Sequence, residues 1–171
     1  MKLGEYGFLR VAAAVPYVHV ANPEKNAGEI ITLIHKAREL GVRALVFPEL
    51  SVTGYTCADL FGQNLLLRQA EAALGEILRA TRECDMLCAV GMPIPADNQL
   101  FNCAVVFHRG AVLAAVPKTF IPNYSEFYEK RWFASATERK SGTVRLLGTE
   151  VPFGENVLFR LEETGVTLAV E

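Results

Sequence analysis

No apolar run in these 171 residues approaches the roughly 20 that a membrane-spanning helix needs, so no membrane partner is expected. The opening, MKLGEYGFLRV, lacks the apolar stretch of a secretory leader. Charge of one sign is also missing. Seventeen basic residues meet nineteen acidic ones, for a net charge of -2, and this gives no electrostatic footprint for nucleic acid. Cysteine is sparse, with Cys57, Cys84, Cys88 and Cys103 showing no disulfide-dense layout, which points to a reducing, cytoplasmic setting. Cys84 and Cys88 have no second pair and no nearby histidine, and His19, His35 and His108 are scattered, so no metal site is expected. Gly54 and Gly91 are isolated and build no phosphate-cradling loop. What is present is a globular composition, 51% hydrophobic and 21% charged, long enough for one domain with a substantial core.

The pattern along the chain is α/β. Residues 8–15 (FLRVAAAV) read as a buried strand. Asn22 is placed to cap a helix and Pro23 to start it. Ala27, Ile30, Ile31, Ile34, Ala37 and Leu40 then recur at helical spacing, with Gly41 just past the end. A strand at 44–47 completes a β-α-β unit, which predicts parallel neighbours and a right-handed crossover. A second helix is expected over 63–83, with Leu66, Ala70, Ala73, Leu74, Ile77 and Leu78 on its apolar stripe. Residues 86–92 read as a third strand closed by Pro93, and 95–99 as a loop. Strands at 100–108 and 111–116 are joined at Arg109-Gly110 as a hairpin. An aromatic, charged loop covers 118–138, and short strand signals follow at 144–147, 157–161 and 166–170. The tally is two helices and roughly eight strands. The last segment, VTLAVE, reads as a core strand with no turn, helix or polar tail after it, so the chain is expected to be part of a longer domain.

Two charges stand out. Glu49 follows the apolar run Ala44-Leu45-Val46-Phe47 and Pro48, and so stands at the carboxyl end of a core strand, where α/β sheets place their ligands. Lys118 repeats the pattern after Ala114-Ala115-Val116-Pro117. If the two meet in one cleft, each offsets the other's desolvation; a buried ion pair without catalytic role, or a surface lysine, fits these two residues equally well. Residues 120–133 hold six aromatics with two acids and two bases. That composition suits a pocket wall for a small polar ligand, or else a satellite core or an oligomer contact.

PELSVTGYTCADL, VPKTFIPNYSEFYEKRWF and the opening YGFLRVAAAVP resemble the nitrilase, or carbon-nitrogen hydrolase, superfamily. The likeness is greatest to the amino-terminal glutaminase domain of glutamine-dependent NAD synthetases, and it runs from about Tyr6 to the end. The resemblance implies an α-β-β-α sandwich, of which this chain holds the first part, and a Glu-Lys-Cys triad. Glu49 matches the general base and Lys118 the lysine that stabilises the oxyanion. Tyr124 matches a position lining the glutamine pocket, and Glu126 the second glutamate, which holds the lysine in place. The nucleophilic cysteine would fall just beyond Glu171. Cys57, eight positions after Glu49, is read as a small loop residue rather than that nucleophile. The chemistry suits the residue types: thioester formation needs a thiolate, a desolvated carboxylate can generate one, and an ammonium can stabilise the oxyanion.

By the same resemblance the substrate is glutamine, and the ammonia passes to a synthetase domain of the same polypeptide that makes NAD with ATP and magnesium. No cofactor is implied for the glutaminase domain itself, homo-oligomers are implied, and the isolated chain is expected to be inactive. A free-standing amidase, nitrilase or carbamoylase is the alternative enzyme, and a fragment acting only in assembly is the non-catalytic one.

Overall fold

Asn22 caps the first helix, its side chain accepting from the Lys25 N–H at 3.2 Å, with Pro23 in the first turn. The computed structural model describes residues 6–162 and 164–170. Residues 1–5, on which the reading of no leader partly rests, and Glu171, the end of the last expected strand, lie outside them. Helix α1 (Pro23–Glu39) joins β1 (Val11–Ala13) to β2 (Ala44–Val46), and the two strands pair in parallel with Val11 opposite Ala44. β1 is three residues rather than eight because its partner is equally short, and it forms the edge of the sheet. Helix α2 (Asn64–Ala80) then leads to β3 (Leu87–Ala96), β4 (Gln99–His108) and β5 (Ala111–Pro117), in the sheet order β1-β2-β3-β4-β5. β2 pairs with β3 in parallel, and β3, β4 and β5 are antiparallel.

Pro93 does not close the third strand as expected, and 95–99 is not a loop. Strand β3 continues through both prolines to a turn at Asp97-Asn98, where φ is +52° and +60°. The Ala89 and Gly91 carbonyls point towards the β2 side, accepting from Phe47 and Val52. Pro93 and Pro95, two and four residues further on, face the same way, past the end of β2. No ladder there requires the N–H that proline lacks. The β4-β5 turn at Arg109-Gly110 is as expected, with φ +47° and +75°, the left-handed pair that a two-residue hairpin favours.

The helices cover one face of the sheet. Ile30, Ile34, Leu74 and Ile77 are fully buried with Val90, Phe101, Val105 and Phe107. An unexpected strand, β7 (Thr149–Pro152), pairs with β6 (Thr143–Leu146), and this hairpin extends the same core. On the opposite face, β8 (Leu158–Arg160) and β9 (Thr167–Ala169) form a separate hairpin, with Phe159 packed on Ala89, Val106, Ala114 and Val116. The last strand is therefore not a core strand of the main sheet, and its residues are largely exposed. Among the described residues no helix is long and apolar enough to cross a membrane.

Candidate active site

Glu49 stands on a tight elbow where the chain leaves β2. Leu50 adopts φ +52°, and its carbonyl accepts from Gly54 at 2.7 Å. The elbow is tied to β3 at one residue: Val52 donates to the Gly91 carbonyl at 3.0 Å, and the Gly91 N–H reaches Ser51 Oγ at 3.3 Å. Only glycine allows this approach, since a Cβ at position 91 would lie 2.6 Å from the Pro48 carbonyl oxygen and 2.8 Å from the Glu49 carbonyl carbon.

Lys118 follows β5, and its backbone N–H donates to the Asn102 carbonyl of β4 at 2.8 Å. Its Nζ lies 2.9 Å from Glu49 Oε2, and 3.2 and 3.4 Å from the two oxygens of Glu129. Asn102 Nδ2 donates to the same Glu49 oxygen at 3.0 Å. Tyr55 caps the cluster by donating its hydroxyl to Glu129 Oε1. Burial first, then that hydrogen bond and the charges of Glu129 and Glu49, push the Tyr55 phenol above its ordinary range, so it remains a donor. Burial is graded across the group. The Glu129 side chain is 4% exposed, Lys118 22% and Glu49 50%. The cleft in front measures about 110 Å³ and is bordered by Glu49, Gly91, Asn102, Val116, Lys118 and Val170. One ammonium between two carboxylates, with the outer carboxylate reachable from solvent, can hold a developing oxyanion beside a proton acceptor.

The structure brings Glu49 and Lys118 together, but Glu126 does not hold the lysine. Glu126 is exposed, and the carboxylate on the Lys118 ammonium belongs to Glu129, eleven residues after the lysine. The loop turns outwards at Tyr124–Phe127, with Ser125 at φ +51°, and returns when the Glu129 N–H donates to the Pro122 carbonyl at 3.2 Å. That return carries Glu129 inwards and leaves Glu126 in water. Tyr124 is 69% exposed, its ring edge-on to Phe127, in an open groove with Phe120, Lys130 and Lys118. The aromatic loop thus divides. Ile121 and Phe133 pack with Leu50, Cys57, Phe61 and Leu66 as a satellite core, while Phe120, Tyr124 and Tyr128 stay exposed. Asp59 anchors the loop, accepting from Arg131 Nε at 2.8 Å and Trp132 Nε1 at 3.0 Å. Arg131 and the indole hold the Asp59 carboxyl down at about 2.

The sequence reading missed Glu129, Tyr55 and Asn102. Asn102 carried a usable signal: a strand-averse amide between Phe101 and Cys103 in an otherwise apolar strand needs a partner. Nothing local distinguishes Glu129 from Glu126. Cys103 borders the cleft, but its side chain packs in the helix-side core with its thiol on the Phe101 carbonyl, and burial pushes it well up. Cys57 is buried with its thiol on the Thr53 and Gly54 carbonyls, and burial pushes it up; Cys88 is pushed up to about 12. Among the described residues no three His, Cys, Asp or Glu side chains gather as a metal site.

Residues 10–114 match the carbon-nitrogen hydrolase family. The chain is 36% identical over 168 residues to the glutamine-dependent NAD(+) synthetase of Mycobacterium tuberculosis, covering 98% of this chain and 25% of that protein. Against the Aquifex aeolicus enzyme of the same name it is 39% identical over 119 residues, 70% of this chain and 21% of the other. The crystal structure of a glutamine-dependent NAD(+) synthetase from Cytophaga hutchinsonii superposes with a TM-score of 0.78 at 28% identity, over 90% of this chain and 26% of that one. The chain therefore spans about a quarter of the length of these relatives. An amidase from Nesterenkonia sp. shares the fold, with a TM-score of 0.64 at 24% identity over 83% of this chain and 53% of that one.

Proposed function

Because the chain belongs to the carbon-nitrogen hydrolase family, we propose that its cleft supplies the acid-base and oxyanion groups for hydrolysis of the glutamine side-chain amide. The supporting observation is the Lys118 ammonium held between Glu49 at 2.9 Å and Glu129 at 3.2 Å, at the mouth of an accessible cleft. In this reading Glu49 takes the proton of a cysteine thiol, and the thiolate attacks the amide carbon. Lys118 stabilises the oxyanion, Glu49 passes the proton to the departing nitrogen as the C–N bond breaks and ammonia leaves, and water, deprotonated by Glu49, hydrolyses the thioester to glutamate and regenerates the thiol. Glu129 orients the lysine, and Tyr124 borders the glutamine pocket. By the family likeness, the thiol is that of a cysteine just beyond Glu171 in a longer polypeptide. Val170 already borders the cleft, which is where such a residue would be needed.

The ammonia is consumed by a synthetase domain of that polypeptide, which would hold the ATP and magnesium, in a cytoplasmic homo-oligomer whose size light scattering would measure. The names of the relatives, glutamine-dependent NAD(+) synthetases, support glutamine as the substrate and NAD synthesis as the use. The test is to incubate the purified 171-residue chain with glutamine and assay glutamate. Release is expected to be at least about a thousandfold below that of a longer polypeptide carrying the cysteine. Full turnover by the chain alone, lost on Cys57→Ala, would move the nucleophile to Cys57.

A further inference from the structure

We propose that Asn102 is the positioning residue of the Glu49–Lys118 pair and that it selects Oε1 of Glu49 as the proton-accepting oxygen. The inference rests on the hydrolytic reading above and adds the atom at which it acts. Along β4, Phe101 and Cys103 turn into the helix-side core, and Asn102, on the opposite side of the pleat, is only 3% exposed. A buried amide is costly unless satisfied. Here its Nδ2 donates to Glu49 Oε2 at 3.0 Å, while the main-chain carbonyl of the same residue accepts the Lys118 backbone N–H at 2.8 Å. One residue thus sets both the carboxylate and the chain that carries the lysine.

Both donors that reach Glu49, Asn102 Nδ2 and Lys118 Nζ, use Oε2. Among the described residues no donor reaches Oε1, and the side chain is half exposed. A general base needs a lone pair not already engaged, and Oε1 keeps it. The other charged and titratable groups facing this site are Lys118, Glu129 behind it and Tyr55 on Glu129. A second cation at position 102 would weaken Glu49 as a base, and a second carboxylate would repel it. A neutral amide orients the carboxylate and does neither.

The test uses the isotope-labelled 171-residue chain and NMR across a pH titration, with no turnover required. The Asn102 side-chain amide resonances should move with the Glu49 carboxyl titration and lose that dependence in Glu49→Gln. In Asn102→Asp, two carboxylates meet at about 3 Å, and the proton affinity of Glu49 should rise about tenfold or more. An Asn102 amide indifferent to the Glu49 titration, or the same Glu49 midpoint in Asn102→Asp and wild type, overturns the proposal. If Asn102→Asp does not fold, the comparison of wild type with Glu49→Gln decides alone. Failure here leaves the hydrolytic reading standing, and absence of glutamine hydrolysis in a longer polypeptide would sink that reading without touching these resonances.

Discussion

At one end of the five-stranded sheet, Asp85 uses both oxygens: Oδ2 takes Arg43 at 2.6 Å, and Oδ1 lies 3.0 Å from His108 Nε2 and 3.2 Å from Arg109 Nε. At the other end, among the described residues, Glu49 receives Lys118 and Asn102 on Oε2 alone. Each carboxylate sits among donors at strand termini, and the difference lies in how many lone pairs remain. The Asp85 group ties the start of β2, the approach to β3 and the β4-β5 turn, and it engages both oxygens in doing so. The Glu49 group is pinned from behind and keeps one oxygen in reserve. Hollow size does not mark the reactive pair: the hollow at Asp85 measures about 440 Å³, while Glu49 and Lys118 border a cleft of about 110 Å³ and Lys118 also borders an open groove of about 660 Å³.

The largest expected effect breaks the comparison at its reactive end. In a longer polypeptide that hydrolyses glutamine, Glu49→Gln should lower glutamine-driven turnover about a thousandfold or more and leave ammonia-driven synthesis largely intact. Parallel assays with glutamine and with ammonium salts measure this, and equal losses in both would assign Glu49 a structural role like that of Asp85. Next in size is Gly91→Ala. The new methyl must displace the Pro48–Leu50 backbone, at a cost of about 1–3 kcal/mol in urea unfolding. It should shift the resonances of Glu49 and Lys118 while those of His108 and Arg109 stay in place, because the strain is confined to one end.

The smallest effect concerns Asp85. The Arg43 hydrogen bond first, then His108 and Arg109, hold its carboxyl well below the usual carboxylate range against the opposing effect of burial. A depressed folded value stabilises the fold above the unfolded value near 4, and the contribution is lost as pH falls through the folded value. The group is 36% exposed, so solvent screening reduces the contribution to about 0.5–1 kcal/mol. Asp85→Asn should lower the unfolding free energy measured in urea by that amount at pH 7, and the gap to wild type should narrow steadily below about pH 4. A gap unchanged at pH 2 would mean that the contribution is not electrostatic.

Much of this was legible in the residues, for local reasons. Asn22-Pro23 and Gly41 mark the ends of α1 because caps and left-handed residues act within one turn. Arg109-Gly110 marks a hairpin because two-residue turns require positive φ. Glu49 and Lys118 announced themselves by following apolar strands that run into proline. Strand β3 was cut short because a proline in sequence does not reveal which side of the strand it faces, and only the end of β2 makes Pro93 and Pro95 harmless. Glu129 was missed because Glu126 lies in the same polar, aromatic run, and the choice between them depends on how the loop returns from Ser125.

The α/β class, the parallel β-α-β start, the family likeness and the two strand-end charges follow from periodicity, capping and motif, all of which are local. Tertiary structure alone decided that Lys118 stands between Glu49 and Glu129, that Tyr55 and Asn102 join them, and that Gly91 makes room for the elbow. These contacts join residues 11 to 74 positions apart in sequence, and their distances depend on how strands and loops pack rather than on any local preference.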